Sequence, residues 1–342
     1  MSPKILITGG TGYIGGSVLH TIATTHPEYA LTALLRTIPP TFSTQYPNIE
    51  IVKGDYDSFD ILADAASKVD IVIHNGDSDH LPSLQALTTG LLRRSTPTFL
   101  LHLSGTGIVS DYLTPTYLGI QSPQIWSDDN QSDLHRISTL PDTALHRNTE
   151  KFLNETIAKH GDRLNVAIIC PPDIYGKGLG LGKTESAFVT MYVQQIRRLG
   201  GKVIYYGQGE NTRSWVHVRD LMRLYEFVVE AAVEGGGSAT WGKEGYYFAG
   251  TQETSNLDIA RATGEILKKH GVIENPEPVA LPLDEIDALI DYPGYPLIAR
   301  YLFAGNSRTR ADRAKRLFGY EGREKTVLEA LEEDILVEIG KK

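Results

Sequence analysis

Thr8-Gly9-Gly10-Thr11-Gly12-Tyr13-Ile14-Gly15 is the stretch on which the reading of this chain turns. It follows a short apolar run, Lys4–Thr8. It opens a segment, Tyr13–Thr25, in which Ile14, Val18, Leu19 and Ile22 recur at helical spacing. A glycine pattern alone carries little; glycines set between a strand and an amphipathic helix are specific. Gly9 permits the tight turn, Gly12 lets the backbone approach a pyrophosphate, and Gly15 lets the helix pack closely on the strand. The helix then presents free N–H groups and the positive end of its dipole to the anion. The stretch predicts a dinucleotide cradle in which Thr11, Tyr13 and Ile14 also take part.

Outward from the cradle, apolar runs alternate with helical patterns. Leu31–Leu35, Ile49–Val52, Ile71–His74, Phe99–Leu103 and Leu164–Cys170 are strand-like; Ile61, Leu62 and Ala65 mark one helix and Thr143–His160 another. Strands separated by helices must run parallel, and runs apolar on consecutive residues are covered on both faces. The fold class is α/β: a Rossmann, doubly wound parallel sheet with a smaller C-terminal substrate lobe. The division expected is a dinucleotide-binding core over residues 1–175 and a lobe over 176–342, with some of its segments returning to the core. Ser110–Asp142, rich in Pro, Asp and Ser, reads as a long loop that carries Tyr112 and Tyr117, and Asp128 and Asp129 read as surface charges within it.

Composition narrows the class. The chain has 342 residues, of which 41 % are hydrophobic and 22 % charged, enough for a core without disulfides. Its only cysteine, Cys170, lies in an apolar run and predicts a buried thiol; no cysteine-based metal site is expected, and no metal at all. A formal charge of −9 speaks against nucleic acid as a partner. The apolar strand begins within three residues of Met1, and no apolar run reaches the length of a membrane span. The expectation is a cytoplasmic protein whose partner is a small molecule, with no membrane contact.

The second strand ends in Arg36 with no acid beside it. An acid at this place binds the ribose 2′-hydroxyl of NAD, whereas a guanidinium suits the 2′-phosphate of NADP. NADP is therefore the expected cofactor, with NAD as the second candidate.

The pattern Thr8-Gly9-x-x-Gly12-x-x-Gly15 resembles the extended short-chain dehydrogenase/reductase superfamily, on its epimerase/dehydratase side. Further segments agree: Lys53-Gly54-Asp55, Val69–His74, Cys170-Pro171-Pro172-Asp173-Ile174-Tyr175-Gly176, and Gly207-x-Gly209 followed by Arg213 and Trp215–Asp220. Ser104-Gly105-Thr106-Gly107, His146-Arg147 and Trp241–Phe248 resemble uncharacterised fungal members most. The resemblance implies that Asp55 and Tyr56 lie at the adenine and that Pro171 and Ile174 lie along the cofactor. It further implies that Arg213 and Tyr175 line a substrate pocket; Arg213 would either bind an anionic substrate there or form a salt bridge within the fold, and His217 is read as fixing backbone around the second lobe. It also allows a homodimer.

Active relatives pair a Ser or Thr hydroxyl with Tyr-x-x-x-Lys on one helix. Here Lys151 and Glu155 align, which puts Arg147 at the tyrosine position and Gly105 at the hydroxyl position, with Ser104 or Thr106 as substitutes. A guanidinium has no acceptor lone pair and keeps its proton. Residues four apart share a helix face, so Arg147 and Lys151 are expected to point together into the site, where Arg147 would clamp an acidic ligand; His146 is expected to point away. Three functions follow. One is an NADP-dependent oxidoreductase or epimerase-like enzyme on a small carbonyl or hydroxyl compound. Another is a catalytically degenerate dinucleotide sensor. The third is a non-redox isomerase or lyase.

Overall fold

The computed structural model describes residues 2–340. Seven parallel strands form the central sheet: β1 (Lys4–Thr8), β2 (Ala30–Leu35), β3 (Glu50–Lys53), β4 (Ile71–His74), β5 (Thr98–Leu103), β6 (Leu164–Cys170) and β7 (Tyr246–Phe248). Their order is β7-β6-β5-β4-β1-β2-β3. The direction of winding reverses between β1 and β4, and ligands of such sheets bind outside the carboxyl ends of the strands at that point. Helices α1 (Tyr13–Thr25) and α5 (Val218–Val233) cover one face through Val18, Ile22, Leu221 and Val228. Helices α2 (Phe59–Ser67), α3 (Leu81–Leu92) and α4 (Arg147–His160) cover the other through Leu62, Leu84, Leu153 and Ile157. Burial on both faces is why the strands read as unbroken apolar runs.

Much of the chain after β6 forms a lobe. Strand Thr212–His217 pairs in parallel with Asp173–Tyr175 and antiparallel with Gln252–Ser255. Trp215, Phe188, Tyr192 and Phe303 pack a separate core there. The lobe is interleaved with the sheet, since α5 and β7 fall in sequence between its strands Thr212–His217 and Gln252–Ser255. Cys170 is buried at the end of β6.

Two expectations are corrected. Ser110–Asp142 is not an open loop: Trp126–Ser127 pairs in parallel with Thr309–Arg310, and Gln131–Ser138 is a helix whose N-terminal amides are accepted by Asn130. The pairing partner lies almost two hundred residues away, so no local pattern could reveal it. Asp128, expected at the surface, is fully buried. Its carboxylate accepts the amides of Phe248 and Arg313, each at 2.8 Å. Burial pushes the carboxyl up to about 7, against those amides and the Arg313 guanidinium. Asp128→Ala strands two buried amides, and leaving one buried donor unsatisfied costs about 1–3 kcal/mol. The expected loss is about 3 kcal/mol in urea unfolding; a loss under about 1 kcal/mol would contradict this role.

Candidate functional site

The cradle has the geometry of an anion site. Gly9 sits at φ +74°, and a Cβ there would lie 2.1 Å from the Asn75 carbonyl oxygen. A Cβ on Gly15 would lie 2.4 Å from the Gly9 carbonyl oxygen. At Gly12 a Cβ would meet only the Gly9 oxygen, at 3.3 Å. Two of the glycines thus face protein, and the third faces open space. Gly12 caps α1 without any side-chain bond, and the first turn holds no acid. The first-turn amides and the dipole are left for an anion, so the residues present fit a pyrophosphate.

Beside the cradle lies a cavity of about 250 Å³ lined by Thr11, Arg36, Asp55, Tyr56 and His80 among others. Arg36 is exposed at its edge. The Ser58 hydroxyl holds the Asp55 carboxyl below the usual carboxylate range, donating at 2.6 Å. A larger groove, about 650 Å³, runs along Lys4, Ala30 and Glu50. These residues begin their strands, so this groove is at the wrong end of the sheet for a Rossmann ligand.

The chemistry expected at the ends of β5 and α4 is arranged differently from the sequence reading. Ser104 is buried and donates to Glu150 Oε1 at 2.5 Å, an oxygen that also accepts the Tyr246 hydroxyl at 2.9 Å. Burial pushes the Glu150 carboxyl up. Thr106 is buried, with its amide donating to the Pro171 carbonyl at 3.0 Å and its own carbonyl accepting from Ser307 at 2.8 Å. Ile174 is half-buried nearby in the strand after Pro171.

Arg147 does not enter the site. Its guanidinium donates to the carbonyls of Leu140 (2.9 Å) and Ser138 (2.8 Å) and staples that turn to the helix. Lys151 is exposed and pairs with Asp142 at 2.9 Å. The expected acidic-ligand clamp is thereby corrected. Helix α4 starts only at Arg147, and its sheet-facing side carries Thr149, Glu150 and Leu153, leaving Lys151 outside.

Tyr175 is corrected as a substrate residue, and Arg213 takes the second of its two readings, a pair within the fold. Arg213 is 2 % exposed. It makes a two-pronged pair with Asp173, donates to the Tyr301 carbonyl at 2.7 Å, and lies 4.3 Å from that residue's ring centre. Tyr175 is buried, donates to the Lys325 carbonyl and accepts from Gln252, both at 2.6 Å. Burial pushes its phenol up. Both residues hold the lobe together. His217 caps α5 by accepting the Arg219 amide at 3.2 Å.

The residue that sequence reasoning missed is His146. It precedes α4 in the left-handed region, at φ +62°. The rotation expected along a regular helix does not apply there, and the ring turns toward β5. A Cβ on Gly105 would lie 2.9 Å from His146 Nε2. Nδ1 lies 3.0 Å from both carboxylate oxygens of Asp79, and Tyr295 donates a short bond to Asp79 Oδ2. Burial opposes ionisation of Asp79, but the bonds from His146 and Tyr295 outweigh it and hold the carboxyl below its usual range. The wholly buried His102 lies next, held well below its usual range by burial first and then by His74 and His146. No group of three or more metal-ligating side chains occurs among the described residues, and no described helix is long and apolar enough to cross a membrane.

Two family models match parts of the chain: the NAD dependent epimerase/dehydratase family over residues 147–241 and the NmrA-like family over residues 1–87. The oxidase ucsJ of Acremonium sp is 28 % identical over 92 % of each chain. The dTDP-glucose 4,6-dehydratase of Bacillus anthracis, solved in complex with NAD, superposes with a TM-score of 0.64 at 17 % identity, over 98 % of this chain and 96 % of that one. The UDP-glucose 4-epimerase of Thermotoga maritima, solved with UDP-glucose, gives 0.61 at 15 % identity over 98 % and 97 %. The likeness to both structures is one of fold, and it spans sheet and lobe together. The 3-2-1-4-5-6-7 strand order, the glycine cradle and these matches together support a place for the chain in the extended short-chain dehydrogenase/reductase superfamily.

Proposed function

We propose that this chain is an NADP-dependent oxidoreductase of the epimerase/dehydratase kind, acting at a hydroxyl or carbonyl carbon of a small substrate. The observation that carries the reading is that an uncapped, acid-free cradle and the Arg36 cavity open at the same carboxyl edge of the sheet as the β5–α4 junction. Gly12 and the first turn of α1 hold the pyrophosphate. Asp55, Tyr56 and Arg36 surround the adenosine half, and Pro171 and Ile174 border the other half. The dinucleotide supplies or accepts the hydride; the protein supplies position and proton transfer.

Arg36 selects the 2′-phosphate. Removing one charge-assisted contact of this kind costs on the order of 1.5–3 kcal/mol. Calorimetry is expected to show NADPH binding more tightly than NADH, with Arg36→Ala removing about 10- to 100-fold of the NADPH affinity and little of the NADH affinity. Equal affinities in the wild type would overturn the preference.

A further inference from the structure

We propose that His146, oriented by Asp79 and Tyr295, is the residue that exchanges a proton with the substrate oxygen in this enzyme. The inference rests on the hydride-transfer reading above.

Three independent features meet at this point. The first is steric. The position that carries a hydroxyl side chain in active relatives is Gly105 here, and a Cβ there would stand 2.9 Å from His146 Nε2. Any side chain at 105 would push the imidazole out, so the missing hydroxyl and the inserted ring are two halves of one replacement. The second is conformational. A non-glycine residue at φ +62° is uncommon, and such residues gather at functional sites. A regular helical backbone at 146 would carry the ring around the helix and away from β5. The third is electrostatic. Asp79 holds Nδ1 with both oxygens at 3.0 Å, and its Oδ2 also takes the Tyr295 hydroxyl. An ionised carboxylate on Nδ1 fixes that nitrogen as the donor and leaves Nε2 as the exchangeable position. Tyr295 comes from the lobe, so the lobe helps set the ring.

The other groups facing the ring are few. Ser78 Oγ lies 3.2 Å from Nδ1. His102 lies beneath, and Glu150 one helical turn on is tied to Ser104 and Tyr246. The Tyr301 hydroxyl borders Gly107, where a Cβ would be 3.4 Å from it and 3.5 Å from Nε2. Arg147 points to the opposite side of the helix start.

In the reducing direction a bound NADPH would supply the hydride to the carbonyl carbon. The carbonyl π pair moves onto oxygen, and that oxygen takes the Nε2 proton of the imidazolium to become the alcohol. The ring, now neutral, keeps its Nδ1 proton on Asp79 and regains the other from water. In the oxidising direction each transfer reverses, with NADP+ as the oxidant. His146 is the catalytic residue; Asp79 and Tyr295 are positioning residues.

The test is His146→Gly, which suits the left-handed backbone and leaves a ring-sized space. Folding and NADPH affinity are checked by circular dichroism and calorimetry and are expected to stay within about threefold of wild type. NADPH-dependent reduction of 9,10-phenanthrenequinone and a set of simple aldehydes and ketones is then followed. General acid–base groups contribute about 10²–10⁴-fold, so a loss in kcat of that order is expected. Added imidazole should restore at least tenfold. Asp79→Asn should lower kcat with KM little changed, and Asp79→Glu should recover part of it. A readout that needs no turnover is the carboxyl ¹³C resonance of Asp79 in cofactor-free protein. It is expected to titrate below the usual carboxylate range in wild type and to climb in His146→Gly, where burial acts without the ring. Undiminished kcat in His146→Gly, no rescue by imidazole, or an unmoved Asp79 resonance would each overturn the proposal while leaving the hydride-transfer reading intact. A wild type that binds no dinucleotide, or binds NADPH and reduces none of these carbonyls, overturns that reading and the proposal with it.

Discussion

Gly12→Val is expected to abolish dinucleotide binding in a protein that remains folded. The backbone at Gly12, φ −81° and ψ 171°, is open to any residue. Its Cβ would meet only the Gly9 carbonyl oxygen, at 3.3 Å, a contact relieved by a shift of a few tenths of an ångström. The added isopropyl group therefore projects where the phosphate would approach the first-turn amides, and it strains little inside the protein. Affinity should fall by at least about 100-fold, or roughly 2.7 kcal/mol. Gly15→Val is the contrast. Its Cβ would lie 2.4 Å from the Gly9 carbonyl oxygen and 2.7 Å from its carbon, both backbone atoms that cannot swing aside. That variant should lose stability as well as binding. Circular dichroism with calorimetry separates the two. Retained affinity in Gly12→Val would place the phosphate elsewhere.

Arg213→Ala is expected to destabilise the protein by about 3–5 kcal/mol, the usual cost of removing one partner of a buried ion pair. The guanidinium joins Asp173 on one lobe strand to the Tyr301 carbonyl in a helix, with 2 % of the residue exposed. Without it the Asp173 carboxylate, only 10 % exposed, is left without its cation. Urea unfolding measures the loss. Native stability combined with a weaker affinity for substrate would return Arg213 to the substrate pocket.

The cradle was legible because it is local. A strand, a turn and a helix within about twenty residues carry all of its chemistry, and Tyr13–Thr25 is a helix over the predicted residues. The sheet was legible because its inner strands are buried on both faces and so are written in consecutive apolar residues, whereas edge strand β3 is only partly buried. The catalytic end was not. Its reading depended on where α4 begins, and a start four residues later than the periodicity predicted brings His146 in and leaves Lys151 outside. Helix ends are set by caps and by tertiary contacts, here Asp79 and Ser78 from the β4–α3 connection, which sequence spacing does not encode. Gly105 was the available signal. A missing hydroxyl beside a histidine called for asking what fills the space. Asp128 was misread, and Arg213 was left open, for a related reason. Charged residues are usually solvated, and only the partners Asp173 and Arg313, distant in sequence, make their burial tolerable.

The most direct test of the account is a crystal structure with NADPH bound. The account predicts the pyrophosphate on the amides that follow Gly12, the 2′-phosphate against Arg36, and the nicotinamide ring beside Gly105 with His146 Nε2 turned toward its reactive face. A dinucleotide in the Lys4–Glu50 groove, or a nicotinamide ring remote from His146 and faced instead by Arg147, would contradict it.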